Sequence, residues 1–192
     1  MLTSDRRTLG AVMIAAVPAG IAALLLQKIV EHSLRNPLII AASLVVFGLV
    51  MLYADRYAAR YALASKSGPS WGESLAIGLA QCLALIPGVS RSGITMSAGL
   101  FTKLTREEAA RFSFLVSTPL IGGATLYEGR KILSNSEVYR LDVFAIGVIA
   151  AAISGVFSIR FLLNYLRTKR FDAFIYYRLG LAAIIIVLWL RG

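Results

Sequence analysis

Long apolar runs without charge alternate with short charged clusters along the whole chain. Four such runs lie at 8–27, 36–54, 112–127 and 143–159, and a fifth, at 173–190, contains a single charge at Arg178. At a rise of about 1.5 Å per residue, helices of these lengths approach or match the roughly 30 Å hydrocarbon core of a bilayer. The pattern therefore predicts five membrane-spanning helices. Because Arg178 lies close to the charged start of its run, we expect its side chain to snorkel to the interface.

A sixth apolar segment, between Glu73 and Lys103, departs from this pattern. Arg91 is the only charged residue among the 29 that separate these two positions. In a straight helix Arg91 would lie deep in the membrane, at a cost of roughly 2.5 to 3.5 kcal/mol on insertion scales. Pro87 removes a backbone donor and Gly88 permits positive φ, so the sequence favours a break in the helix.

The break predicts a re-entrant helical hairpin over about residues 73–102. It would contain a short helix over about 73–86, a loop at membrane depth and a second short helix over about 93–101. Irregular backbone at that depth is tolerated only where it is buried in protein or lines a cavity, so the loop is a candidate site. The predicted fold class is all-α, a polytopic membrane helical bundle with this hairpin, and residues 1–192 form a single integral membrane domain.

Composition and charge agree with a membrane protein. The chain of 192 residues is 58% hydrophobic, and its mean hydropathy is +0.74. The net charge of +10 comes from basic residues at the ends of apolar runs, so we expect the lipid bilayer as a partner and no nucleic acid. With the hairpin returning to its own side, most basic loop residues share one face, which predicts that this face is cytoplasmic.

The residues around the break indicate what it would bind. Ser90, Ser92 and Thr95 supply hydroxyl groups, and the second short helix supplies unpaired amides at its start. Arg91 supplies a guanidinium that can bind two oxygens at once. Together these groups suit an anion of phosphate geometry. The alternative is an ordinary interfacial turn between two spans, in which the serines merely cap a helix.

The nine residues 87–95, PGVSRSGIT, resemble the PGxSRSxxT signature of the bacterial undecaprenyl pyrophosphate phosphatases, the bacitracin-resistance proteins. Residues 78–84 and 106–114 are similar to the same family, and the resemblance spans essentially the whole chain. It implies hydrolysis of undecaprenyl diphosphate, a polyprenyl diphosphate lipid, to undecaprenyl phosphate. This reaction recycles the lipid carrier for peptidoglycan synthesis, supports cell wall and cell shape, and confers resistance to the antibiotic bacitracin. The resemblance also implies a multi-pass protein of the bacterial inner (plasma) membrane, with a cavity built from two inverted re-entrant repeats.

The resemblance implies roles for the residues of this motif. Phosphoryl transfer relies mainly on positioning and charge neutralisation, which hydroxyls and a guanidinium can supply. Arg91 and Ser90 are the catalytic candidates: Arg91 binds the diphosphate, and Ser90 is either a nucleophile or a phosphate ligand. The substrate-binding candidates are Gly88, Ser92, Gly93 and Thr95.

The family resemblance also implies a divalent cation, Mg²⁺ or Ca²⁺, whose ligands are unknown. The family carries an N-terminal repeat with an ExxxE element and a PxSSSGH-like loop, thought to supply metal-binding carboxylates and a histidine, and this chain contains neither. The chain thus resembles the C-terminal two-thirds of the family. The alternative function is a non-catalytic binder or carrier of polyprenyl phosphate, a truncated or degenerate copy. A homodimer is left open.

Overall fold

The structure, a computed structural model, describes residues 6–33, 36–61, 68–134 and 141–191. Within these ranges the chain is helical, with no β-strand, which confirms the all-α class. Seven α-helices cover the described residues: α1 (Arg6–Ser33), α2 (Pro37–Arg60), α3 (Trp71–Gln81), α4 (Arg91–Phe101), α5 (Arg106–Ser134), α6 (Leu141–Thr168) and α7 (Asp172–Arg191).

Four of these helices, α1, α2, α6 and α7, are long and apolar enough to cross a membrane. The fifth predicted span, 112–127, lies in α5, which is long enough at 29 residues but is not among the four. Hydroxyl groups, Pro119 and two neighbouring glycines lower its hydropathy, so composition supports four of the five predicted spans. The chain is therefore a multi-pass helical membrane bundle.

Helix α1 extends further than its apolar run predicts. The sequence pattern predicts a polar loop after residue 27, but the helix continues to Ser33. A helix satisfies its backbone hydrogen bonds internally, so it can continue through charged residues beyond the apolar run. The side chains of residues 27–33, including His32, lie outside the described ones.

The segment predicted as a hairpin consists of two short helices with a break between them. Helix α3 ends at Gln81, a 3₁₀ turn covers Cys82–Leu85, and non-helical backbone leads to α4 at Arg91. Helix α3 begins with a capping box, in which Ser70 Oγ accepts from Glu73 N at 3.4 Å and Ser70 N donates to Glu73 Oε2 at 2.8 Å. The two short helices pack against each other.

The longer helices surround this broken pair. Helix α1 packs on α3, α2 packs on both α4 and α7, and α5 packs on α4 and α1. The approach of α1 to α3 depends on Gly78, where an added Cβ would lie 2.5 Å from the carbonyl oxygen of Ala15. Helix α6 stands apart, because none of its most apolar window is buried and only its C-terminal end packs on the core. The packed core therefore consists mainly of the other six helices.

A cluster of ion pairs connects the ends of helices α2, α5 and α6 and the loop that leads into α7. Asp55, near the end of α2, is only 1% exposed. Its carboxylate accepts from Arg106 Nε at 2.5 Å and from Arg106 Nη2 at 3.1 Å, and Arg170 Nε lies 3.9 Å away. Beside this pair, Arg167 Nη2 lies 2.8 Å from Glu107 Oε1. The charged end of α2, the start of α5 and the basic segment after α6 are therefore in direct contact.

We expect Asp55→Asn to lower the melting temperature of the protein in detergent, because Arg106 loses its buried counter-charge. Hydrogen bonds to a charged group contribute about 1.5 to 3 kcal/mol. Glu108→Gln is the matched control, since Glu108 pairs with Arg111 at 3.6 Å at the surface, where such pairs contribute at most about 1 kcal/mol. Equal melting temperatures for the two variants would contradict this role of Asp55.

Candidate functional site

The loop between α3 and α4 packs directly on α2, and a glycine makes this contact. Gly88 has φ +92°, and an added Cβ would lie 2.6 Å from the carbonyl oxygen of Ile40 and 3.0 Å from Ser43 Cβ. A side chain at Gly88 would therefore be strained and would clash with backbone. The break predicted from Pro87 and Gly88 is therefore present, and Gly88 holds its loop in close contact with α2.

Ser90 lies at the end of this loop in a strained backbone conformation. Its φ of 72° and ψ of 113° are rare for a residue with a side chain, and such strain costs about 1 to 3 kcal/mol and is often found at functional sites. Ser90 Oγ accepts a hydrogen bond from Gly93 N at 3.2 Å and lies 3.5 Å from Ser92 Oγ. The N-cap of α4 therefore places two serine hydroxyls side by side.

The start of α4 provides amide groups that the helix itself does not use. The first helical hydrogen bond runs from Ile94 N to Ser90 O at 3.0 Å. The amides of Arg91 and Ser92 precede it, as the first amides of any helix do. Such amides and the helix dipole favour a negative charge.

Arg178 of α7 reaches this loop from the other side. It is 7% exposed, and its Nη2 donates to the carbonyl oxygen of Gly88 at 2.8 Å. A Cβ added to Gly93 would lie 3.2 Å from Ser90 Oγ and 3.7 Å from Arg178 Nη1, so hydroxyl and guanidinium border the same small space. The expectation that Arg178 snorkels to the interface is wrong, because the loop carbonyl binds it inside the bundle. The sequence offered the same reason to select Arg178 as to select Arg91, because each is a lone charge within an apolar run.

These groups lie at a cavity of about 410 Å³ between α2, α4, α6 and α7. Its polar lining comes from Gly88, Ser90, Ser92, Gly93 and Arg178. Its apolar lining comes from Leu44, Met51, Met96, Leu162, Phe171, Phe174 and Tyr177. The cavity therefore joins a small polar surface of hydroxyls and a guanidinium to a larger apolar surface.

The predicted site residues do not all lie at this cavity. Gly88, Ser90, Ser92 and Gly93 line it, whereas Arg91 is exposed at the first position of α4 and is not among the lining residues. The arginine that lines the cavity with the serine hydroxyls is therefore Arg178 of α7 and not the predicted Arg91.

Thr95 is 1% exposed, and its hydroxyl is bonded within the protein. It donates towards the carbonyl oxygens of Arg91 at 2.9 Å and Ser92 at 3.1 Å, and it lies 2.6 Å from Ser113 Oγ of α5. These bonds tie the first turn of α4 to α5. Thr95 would have to give up one of them to bind a phosphate oxygen.

The described residues offer no ready metal site. Among them there is no group of three or more His, Cys, Asp or Glu side chains that could hold a metal ion. The cavity lining supplies hydroxyls and a guanidinium but no carboxylate. These groups suit an anion and do not fit a divalent cation, which prefers carboxylate oxygens.

Comparison with known proteins assigns the chain to a family. The sequence model of the family described as bacitracin resistance protein BacA matches residues 2–184. The chain belongs to the BacA family.

Relatives in the BacA family are similar over nearly all of this chain. The undecaprenyl-diphosphatase of Thermodesulfovibrio yellowstonii is 43% identical over 185 residues, which cover 96% of this chain and 70% of that protein. That of Moorella thermoacetica is 41% identical over 191 residues, 98% of this chain and 71% of that protein. Undecaprenyl-diphosphatase 1 of Chromobacterium violaceum is 37% identical over 188 residues, 98% of this chain and 70% of that protein. The resemblance inferred from PGVSRSGIT is thereby confirmed.

We expect Gly88→Ala to lower the melting temperature of this BacA family member and to abolish its binding of diphosphate. The added Cβ would meet the carbonyl oxygen of Ile40, so the loop must shift and Arg178 loses its acceptor. Gly123→Ala in α5 is the matched control, because nothing lies within 4 Å of its added Cβ. Thermal unfolding and calorimetric titration with inorganic diphosphate would test both effects. Normal binding by Gly88→Ala would contradict the assigned loop geometry.

Proposed function

We propose that this chain is an undecaprenyl-diphosphatase. It hydrolyses undecaprenyl diphosphate to undecaprenyl phosphate and inorganic phosphate, which recycles the lipid carrier for peptidoglycan synthesis and confers resistance to bacitracin. Membership of the BacA family and the names of its relatives support this activity. The observation that carries it in the structure is the buried Arg178 beside the Ser90 and Ser92 hydroxyls, in a cavity that is otherwise apolar.

The cavity groups suit the charge of a diphosphate ester. Arg178 Nη1 and Ser90 Oγ border the same space beside Gly93, at the start of α4, so phosphate oxygens there would meet a guanidinium and a hydroxyl. The surrounding low dielectric strengthens each of these interactions relative to water. Preorganised donors of this kind stabilise developing charge without reorganisation during phosphoryl transfer.

Ser90 is proposed as the nucleophile or as a phosphate ligand. As the nucleophile, its Oγ would form a bond to the terminal phosphorus while the bond from that phosphorus to the bridging oxygen breaks. Undecaprenyl phosphate would leave with the bridging oxygen and take up the serine proton. Water would then release inorganic phosphate from the serine. As a ligand, Ser90 would position the same phosphorus for direct attack by water. The strained backbone at Ser90 supports either role.

Arg91 remains in the proposal as a second cation for the diphosphate. Its exposed side chain starts next to Ser90 and Ser92, both of which line the cavity. Gly88 and Gly93 contribute by the space that they leave, and Thr95 contributes by fixing the first turn of α4 to α5.

A divalent cation, Mg²⁺ or Ca²⁺, also belongs to the proposal. It would neutralise part of the diphosphate charge. The described residues supply no carboxylate group for it at this cavity, so its ligands stay unassigned.

The protein is a multi-pass membrane protein, and we propose the bacterial inner (plasma) membrane as its location. A lipid-linked diphosphate and the predicted cytoplasmic face of basic residues support this location. A homodimer is proposed as its assembly. The alternative of a non-catalytic polyprenyl-phosphate binder is not favoured, because the relatives are named as phosphatases over the same residues.

We expect Arg178→Ala to reduce phosphate release from a polyprenyl diphosphate by roughly 10- to 100-fold, the loss expected for charge-assisted hydrogen bonds. Arg91→Ala should abolish diphosphate binding while leaving membrane insertion intact. Arg160→Ala is the matched control, because Arg160 is an exposed arginine of α6 outside the cavity. Release would be measured with purified protein in detergent with Mg²⁺ or Ca²⁺. Full activity of both Arg178→Ala and Arg91→Ala would overturn the proposed site.

We expect Ser90→Ala to reduce turnover more than binding. Single-turnover phosphate release and calorimetric binding of inorganic diphosphate would separate the two quantities. If both fall equally, Ser90 is a ligand and water attacks the phosphorus directly.

A further inference from the structure

A row of aromatic side chains lies where α2 and α4 end. Tyr57 and Tyr61 of α2 and its C-cap pack with ring centroids 4.8 Å apart, and Phe101 of α4 lies 5.7 Å from the ring of Tyr57. Tyr53, one turn earlier on α2, lies 5.9 Å from Phe101. We call these four residues the aromatic row. None of them lines the cavity, so the row is a separate surface of the protein.

Lys103 follows α4 in a backbone conformation that rarely carries a side chain. Its φ is +66°. Its amide donates to Leu100 O at 3.0 Å and Leu104 N donates to Gly99 O at 3.1 Å, the Schellman helix ending that glycine usually makes. The Lys103 ammonium lies 5.0 Å from the centroid of the Tyr61 ring, within the range of a cation–π interaction. The strained residue therefore places a cation at the end of the aromatic row.

Two cations beside the aromatic row have no carboxylate partner in the part of the chain that the structure describes. Arg60 is exposed in the last turn of α2 and immediately precedes Tyr61. Neither Arg60 nor Lys103 takes part in the ion pairs of the described residues, whereas Arg106 and Arg167 both bind carboxylates. The end of the aromatic row therefore carries positive charge that an anion from outside can neutralise.

The aromatic row also indicates the level of these cations in the bilayer. Helix α2 is long and apolar enough to cross a membrane, and it ends at Arg60. Tyr53 is 64% exposed and Phe101 is 37% exposed, so both rings are accessible near the end of this helix. Tyrosines at the end of a span are typical of the head-group region, where basic side chains meet lipid phosphates. This combination favours an amphipathic anion over a soluble one.

We propose that Lys103 and Arg60 bind the phosphate of an anionic phospholipid, and that Tyr53 and Phe101 contact its glycerol group and acyl chains. The site lies outside the diphosphate cavity, and the inference does not rest on the proposed function. Its chemistry is a phosphodiester anion between two cations beside apolar rings. A zwitterionic phospholipid should bind more weakly, because its own ammonium group is repelled by these cations.

The test compares dioctanoyl phosphatidylglycerol, which is anionic, with dioctanoyl phosphatidylcholine, which has the same acyl chains and is zwitterionic. Binding is measured by calorimetric titration of the purified chain in a nonionic detergent. The variants are Lys103→Gly and Arg60→Gln. Lys103→Gly removes the ammonium and relaxes the helix ending, so its melting temperature should not fall and lost binding cannot be due to unfolding. The matched control is Lys169→Gln, an exposed lysine between α6 and α7.

We expect the unaltered protein to bind phosphatidylglycerol more tightly than phosphatidylcholine. Each variant should weaken the binding of phosphatidylglycerol by about 5-fold, the order expected for one basic residue at a lipid surface. Lys169→Gln should bind it like the unaltered protein. Equal affinity of the unaltered protein for the two lipids, or an equal loss in Lys169→Gln, would overturn the phospholipid site.

A titration with inorganic diphosphate separates this site from the cavity. Its affinity should be the same for the unaltered protein, Lys103→Gly and Arg60→Gln, because neither residue lines the cavity. If both variants lost diphosphate binding by the same factor as phosphatidylglycerol binding, the two cations would belong to the substrate site and the inference would be wrong.

Discussion

The hydrogen bond from Arg178 to the carbonyl oxygen of Gly88 is the interaction on which the site depends. A break in a helix leaves backbone carbonyls without helical partners, and each costs several kcal/mol when it is shielded from water unless the protein satisfies it. Arg178 Nη2 of α7 donates to one of these carbonyls, that of Gly88, at 2.8 Å, and α2 packs closely on the loop at Gly88. The same guanidinium that binds the broken backbone also lines the cavity, so the break and the polar end of the cavity share one interaction.

The rest of the site follows from the restart of the helix after this break. Ser90 adopts a strained backbone conformation at the N-cap of α4. Its side chain and that of Ser92 line the cavity together with Arg178. Thr95 and Ser113 fix the first turn of α4 to α5 through a buried contact of 2.6 Å. Because Leu162, Phe174 and Tyr177 continue the lining with hydrocarbon and aromatic groups, one cavity presents surfaces for both ends of an amphipathic lipid.

Helix α2 connects this site to the ion pairs at the charged face. Gly48 lies against Arg178, and Asp55 follows seven residues later on the same helix, about 10 Å further along its axis. Asp55 binds Arg106 and lies near Arg170, which immediately precedes Phe171 of the cavity lining. The position of α7 relative to α2 is therefore set at two levels, by the loop contact and by the ion pairs.

The sequence by itself determined the helical class, most of the spans, the break at Pro87 and Gly88, and the motif that identifies the family, because these depend on local composition and on residues close together in the chain. It did not determine which guanidinium lines the cavity with the serine hydroxyls. Arg91 and Arg178 are both lone charges in apolar segments and differ only in what packs around them. The continuation of α1 to Ser33 and the internal hydrogen bonds of Thr95 were missed for a related reason. Charge and hydropathy estimate the depth of a residue in the membrane, but only the packing of α2, α4, α5 and α7 decides which groups face one another.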